Sequence, residues 1–357
     1  MMKFVGMLFL AGCSVAVAAS AWFYLTFVTA PASGSNTEII YEVAPGLTFR
    51  KVAADLVDKG LVTSRWKLLL LARLQGGTGS RMRVGEYALR ANMSPLEVLN
   101  VITSGKSVLH LLTISEGLNI YDIAALVEAK GLARSVDFLK LCHNPQFIFS
   151  LLGEKLPSLE GYLFPESYNV TKYTGAEGLV RMMVQRFVAV YTALEGVDKT
   201  TMTRHQVVTL ASIIEKETGA PEERPIISSV FHNRLGIHMK LQTDPTVLYG
   251  MLDKTGLAHM NITRQDLLAP TRYNTYVLPG LPYGPIANPG RAALDAAIHP
   301  AVSEFLYFVS HNDGTHAFSK NYKDHEAAVR KFQLDPKARA GKSWRDLQKR
   351  RAQTLSN

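Results

Sequence analysis

One stretch leaves a chain of this kind little freedom: Thr203 to Thr218, TRHQVVTLASIIEKET, followed by Gly219 and Pro221. Val207, Val208, Leu210, Ala211, Ile213 and Ile214 recur at helical spacing and mark one broad apolar arc. Thr203 is the expected N-cap, and Gly219 with Pro221 is the stop signal. Glu217 continues the arc beyond Leu210 and Ile213, Glu215 follows Val208 and Ala211 on its other shoulder, and Lys216 points to solvent. Burial and the negative end of the helix dipole both disfavour ionisation, so both carboxyls are expected above their ordinary pKa range. A carboxylic acid kept neutral near pH 7 suits a general acid, although an EKE triplet is also what a solvated helix end looks like. Helix phase alone does not separate Glu215 from Glu217.

Residues 1–30 read as a membrane anchor. Phe4 to Ala30 carries no charge, Lys3 precedes it, and Trp22, Phe23 and Tyr24 lie towards its far end. That length exceeds the roughly 20 apolar residues a bilayer needs, and Lys3 argues for a cytoplasmic N-terminus with the remainder outside. Leu10-Ala11-Gly12-Cys13 has the look of a lipoprotein box and Ala16 to Ala19 that of a cleavage site, but the apolar run continues through both. An uncleaved single-pass anchor in the cytoplasmic membrane is the expectation. Residues 31–38 read as a flexible linker. Cys13 and Cys142 are the two cysteines, so the external part holds no internal disulfide, and Cys142 reads as a small buried residue. With 357 residues there is room for two or three domains. A formal charge of +9 suits an acidic polymer or an anionic membrane surface. No nucleic-acid motif and no metal-ligand spacing accompany it.

Residues 39–111 and the segment after them echo each other. Tyr41 opens YEVAPGLTFRKVAADLVDKGLV and Leu112 opens LTISEGLNIYDIAALVEAKGLA, with Gly46 matching Gly117 and Lys59-Gly60-Leu61 matching Lys130-Gly131-Leu132. Each copy reads as strand, glycine turn and helix closed by Lys-Gly. The first, a strand–helix–helix–strand unit opening V-x-x-G-x-T, resembles a LysM module, a small fold that grips peptidoglycan; an unspecialised α+β spacer is the other reading. Residues 112–200 form a second small α+β unit with the aromatic segment LEGYLFPESY, Leu159 to Tyr168, and an amphipathic helix over Ala176 to Leu194 after it. The segment's aromatics either stack on sugar rings or pack under the organising helix.

Residues 201–335 form the expected catalytic domain, and 336–357 a basic tail. Within it, MKLQTDP (Met239 to Pro245) reads as a short strand with Asp244 capping the next helix. Tyr273 to Tyr276 opens a proline-rich loop through Gly290, either a rigid cover or a cleft wall. Asn312-Asp313-Gly314 signals a hairpin. His311 and His316 beside it read as surface or turn residues.

LASIIEKET, LQTDPTVLYG and PTRYNTY with its LPGLP and NPG continuation together resemble the YceG-like family of endolytic murein transglycosylases. With the anchor, the LysM-like unit and LEGYLFPESY, the resemblance covers nearly the whole chain. It implies an α+β fold: a transmembrane helix, a LysM-like module and a lysozyme-like catalytic domain. It further implies cleavage of peptidoglycan strands between N-acetylmuramic acid and N-acetylglucosamine without water, leaving 1,6-anhydro ends and using no metal or organic cofactor. Its partners are glycan strands, with synthases or division machinery nearby, and no nucleic acid. Lysozyme-like transglycosylases carry a catalytic Glu before a Ser, so Glu217 before Thr218 takes that place ahead of Glu215, and Glu166, Asp244 and Glu215 are candidates for the second carboxylate that a hydrolase would need. Glu166, Gln242, Asp244, Asn274 and Tyr276 are implied to line the cleft. A muramidase-type hydrolase or a non-catalytic peptidoglycan-binding scaffold are the rival functions.

Overall fold

The computed structural model describes residues 2–77, 82–218, 220–258 and 261–335, without the side chains of residues 2–10 and 27. The expected basic tail and Gly219 lie outside these ranges. The fold is mixed α+β, and the chain divides into two compact units: 1–111 with 169–174, and 112–168 with 175–357.

The first unit begins with helix α1 (Met2–Phe23), which runs into a wider turn over Tyr24–Thr29. Among the described residues no helix is long and apolar enough to cross a membrane. The end of this run belongs to the unit's core: Val28 is buried, and Lys67 Nζ donates to the Thr26 carbonyl at 3.3 Å. The expected flexible linker is instead laid along the sheet, with Ser33 N donating to Ala91 O and Asn92 N to Ser35 O. Strand β1 (Glu38–Val43) leads through Gly46 into α2 (Phe49–Asp58) and α3 (Arg65–Leu74), then to β2 (Gly85–Arg90) and α4 (Pro95–Ser104). β1 and β2 pair antiparallel from Glu38↔Arg90 to Val43↔Gly85. Alternation places Tyr41, Val43, Tyr87 and Leu89 on one face, against Val52, Leu56, Leu68, Val98 and Ile102 from the helices. Ser94 and Glu97 close a full capping box at the start of α4.

β3 (His110–Thr113) pairs with β4 (Ser167–Val170), the strands at which the chain leaves and re-enters the first unit. Between them lie α5 (Ile120–Ala129), α6 (Ser135–Cys142) and α7 (Pro145–Leu152). The sequence echo is a structural one: Gly46 and Gly117 both take positive φ, Thr48 and Asn119 both cap, and both helices run ten residues. After β4 come α8 (Gly175–Thr192), α9 (Arg204–Glu217), α10 (Arg224–Gly236), α11 (Asp244–Thr255), α12 (Arg264–Leu267) and α13 (Arg291–Ile298). The hairpin β5 (Tyr307–Ser310) and β6 (His316–Ser319) follows, then α14 (Tyr322–Val329).

The organising helix is more deeply set than an amphipathic arc implies. Every residue of α9 from Val207 to Ile214 is buried, with α10, α11 and α13 packed around it. Thr209 and Ser212 tolerate this because their hydroxyls donate to the carbonyls of His205 and Thr209. Thr203 caps the helix as expected, in a reciprocal box with Gln206. The expected border at residue 200 divides no compact units, because α8 packs on α13 within one core.

Candidate active site

Glu217 is the last residue of α9, and its half-buried carboxyl faces a cavity of about 330 Å³. Arg234 from α10, Gln242 and Asp244 from the α10–α11 corner, and Tyr276 join it there, with Leu241, Tyr307, Phe308, Tyr322 and His325 completing the lining. Burial pushes the Glu217 carboxyl up to about 8; the negative charge of Asp244 adds to the rise, and the Arg234 guanidinium opposes it. The acid is therefore neutral at pH 7 and within reach of giving up its proton.

The other members are fixed by hydrogen bonds. Met239–Pro245 is not a strand: Gln242 takes positive φ, and its N–H donates to Thr275 O, while Thr243 N donates to Thr275 Oγ1. These bonds sew the QTDP corner to the YNTY turn and bring Tyr276 to Asp244, whose Oδ1 accepts from the Tyr276 hydroxyl at 2.6 Å. Asp244 is the first residue of α11; Thr243 holds the cap position assigned to it from sequence. Arg234 donates to the carbonyls of Leu306 and Leu241, both at 2.6 Å, which fixes its charge under the Tyr307 ring at 5.4 Å.

Three expected site residues lie outside the cavity lining. Glu215 Oε2 accepts from Gly290 N at the start of α13 and Oε1 from Arg224, so this carboxylate caps one helix and ties a second to α9. Burial raises its pKa, against the pull of Gly290 and Arg224. Asn274 is fully buried: its Nδ2 donates to the carbonyls of Asp266, Leu267 and Ala269, and its Oδ1 accepts from Tyr276 N. It builds the loop that presents Tyr276: three carbonyls share its two amide hydrogens, so it has no donor left for a ligand. Glu166 pairs with Arg186 on the surface, with two contacts of 2.6 and 2.9 Å.

Of the LEGYLFPESY aromatics, Tyr162 packs against α9 and Phe164 lies by Arg186 of α8. Tyr162 is buried edge-on against Phe187 with its hydroxyl bonded to His205 Nδ1 at 3.0 Å. The proline-rich loop is a cover on the core, with Ile286 N donating to Ser212 Oγ and Asn288 Oδ1 accepting from Leu163 N. A second cavity of about 660 Å³ touches that loop at Leu281 and Pro282, beside His232 and Gln206, but contains no carboxylate. His316, read as a surface or turn residue, is half-buried at the start of β6: its Nδ1 lies 2.7 Å from Glu223 Oε2, and its N–H donates to Oε1. Thr218 stands within the same polar group, accepting from Ala220 N, and so fixes the chain's exit from α9.

Arg234, Tyr307, Phe308, Tyr322 and His325 were not singled out by sequence reasoning. Their one signal is the aromatic density of Phe305 to Phe308 and of Tyr322 beyond the hairpin. Among the described residues no three His, Cys, Asp or Glu converge as a metal site would require.

The YceG-like family model matches residues 41–331, which takes in both units and every residue of the cavity. The chain belongs to the YceG-like family. It is 30% identical over 315 residues to a Bacillus subtilis protein named endolytic murein transglycosylase, covering 84% of this chain and 86% of the relative. A Streptococcus pneumoniae protein of the same name is 30% identical over 331 residues, 83% of this chain and 56% of that longer protein. The crystal structure of a YceG-like protein from Listeria monocytogenes shares 31% identity, with a TM-score of 0.55 over 82% of this chain and 99% of that one.

Proposed function

We infer that this family member is an endolytic murein transglycosylase that cuts peptidoglycan strands between N-acetylmuramic acid and N-acetylglucosamine. The observation that carries the reading is one carboxylic acid, Glu217, held neutral at the wall of a polar cavity at the end of a buried helix. The name shared by its relatives supports the substrate. Glu217 protonates the departing glycosidic oxygen as oxocarbenium character develops at the muramic acid C1. Its carboxylate then takes the proton of the C6 hydroxyl, whose oxygen closes on C1 to give the 1,6-anhydro end. Gln242, Asp244 and Tyr276 hold sugar hydroxyl and acetamido groups. Burial sets the proton affinity of Glu217 first, with Asp244 adding to the rise and Arg234 opposing it.

The uncharged run Phe4 to Ala30 supports a membrane anchor with the catalytic part outside the cytoplasmic membrane. The strand–helix–helix–strand order of the first unit supports a LysM-like hold on glycan. Tethering then confines cutting to new strands near the synthases.

Mass spectrometry of glycan digested by the protein, beside Glu217→Gln and Glu215→Gln, tests the reading. Anhydro ends lost in Glu217→Gln and kept in Glu215→Gln are expected. One observation favours a second reading: Asp244 shares the cavity, and a hydrolase pairs its acid with a second carboxylate. Reducing ends in the digest would establish that muramidase chemistry, and binding without cleavage would leave only a scaffold.

A further inference from the structure

The cavity beside Glu217, about 330 Å³, stands at the small end of the roughly 300–1,000 Å³ that ligand sites span. It admits about one pyranose ring. A strand cut internally continues past that ring, so its neighbour must lie across the rim. Among the described lining residues, the one exposed aromatic is Tyr322, at 64% exposure. Tyr276 is half-buried with its hydroxyl on Asp244, and the remaining rings pack on neighbours. Tyr307 is stacked on His325 at 5.1 Å and lies over Arg234, while Phe308 meets Phe231 and His316 edge-on.

Tyr322 is braced without being covered. Tyr307 meets it edge-on at 6.1 Å and 67°, and His325 at 6.3 Å and 53°. It is the first residue of α14, whose start is pinned by Asn321 accepting from Asp324 N. A single exposed aromatic is ordinary on a protein surface. This one differs in standing at the lip of a polar cavity with its orientation set by two other rings.

We propose that Tyr322 is a sugar-stacking platform, receiving the apolar C–H face of the pyranose next to the one held beside Glu217. The platform rests on the glycan-cleaving reading above. Its hydroxyl stays in water while the ring supplies contact area, the usual division of labour for a half-wet tyrosine.

Steady-state kinetics of the full chain in detergent, on soluble uncrosslinked glycan strands, test this with Tyr322→Ala, Tyr322→Trp and Glu217→Gln in parallel. Tyr322→Ala is expected to raise KM about three- to tenfold with kcat changed less than about twofold, and Tyr322→Trp to restore KM. An unchanged KM in Tyr322→Ala, with Glu217→Gln inactive, overturns the platform alone. A loss that Tyr322→Trp does not repair, together with a lower Tm, marks a structural role and also overturns it. Full turnover by Glu217→Gln overturns the site on which the platform rests.

Discussion

Replacing Glu217 with glutamine should make the protein more stable in alkaline buffer while removing its activity. In the folded chain this carboxyl ionises near pH 8 against an ordinary 4.5, because burial and Asp244 outweigh Arg234. The folded state therefore holds its proton where the unfolded chain has released it, and stability falls as pH rises. The penalty is absent below pH 4.5, grows through the interval, and is complete above 8. At about 1.4 kcal/mol per pH unit the full shift amounts to roughly 5 kcal/mol. Water entering the cavity screens part of that, leaving about 2–4 kcal/mol. The substituted amide is isosteric with the carboxyl and never ionises, so the variant escapes the penalty. Thermal unfolding of both proteins in the same detergent at pH 4.5 and pH 9 reads the difference. Near-equal Tm values are expected at pH 4.5, and a variant higher by roughly 4–8 °C at pH 9. Glu160 also titrates near pH 8, but it is common to both proteins and cancels. A gap that is the same at both pH values would refute the assignment of Glu217 as a neutral acid.

Asp244→Asn removes a charge that raises the Glu217 pKa, so the alkaline limb of the pH profile of kcat/KM should move to lower pH. An unmoved limb would show that Asp244 does not act on the acid. Glu215→Gln should keep the anhydro products while losing about 1–3 kcal/mol of stability, because Gly290 and Arg224 lose a charged partner. Loss of products at unchanged Tm would return Glu215 to the chemistry. Gly161→Ala should destabilise by more than about 2 kcal/mol. At φ +84° its new Cβ would lie 2.6 Å from both Val208 Cγ1 and Pro285 Cβ, and a chemical denaturation midpoint measures the cost.

The sequence made the local devices legible. The Thr203 cap, the Asn312-Asp313-Gly314 hairpin and the paired glycine turns at Gly46 and Gly117 are set by residues a few positions apart, and all are present. The partners of long-range hydrogen bonds were not legible. Asn274 carries the side chain of a ligand-binding residue, yet neighbouring carbonyls consume it. Gln242 and Asp244 lie in the cavity because of bonds to Thr275, more than thirty residues away. His316 is held by Glu223, which no spacing rule connects to it. Tyr322 offered least of all: an exposed aromatic at a helix start has meaning only once the cavity beneath it is known.

Glu160 governs where this chain can be cut into fragments. Its carboxyl accepts from Ile120 N at the start of α5, from the Tyr249 hydroxyl on α11 and from Asn288 Nδ2 before α13. Burial raises its pKa while the bonds from Ile120 and Tyr249 lower it, and three distant segments meet on this one buried carboxyl. A fragment starting at residue 201 would keep Glu217 and every residue around it, yet leave Tyr249 and Asn288 without their shared acceptor. Such a fragment should misfold alone and recover on mixing with residues 112–200, which makes the second unit a suitable subject for split-protein complementation.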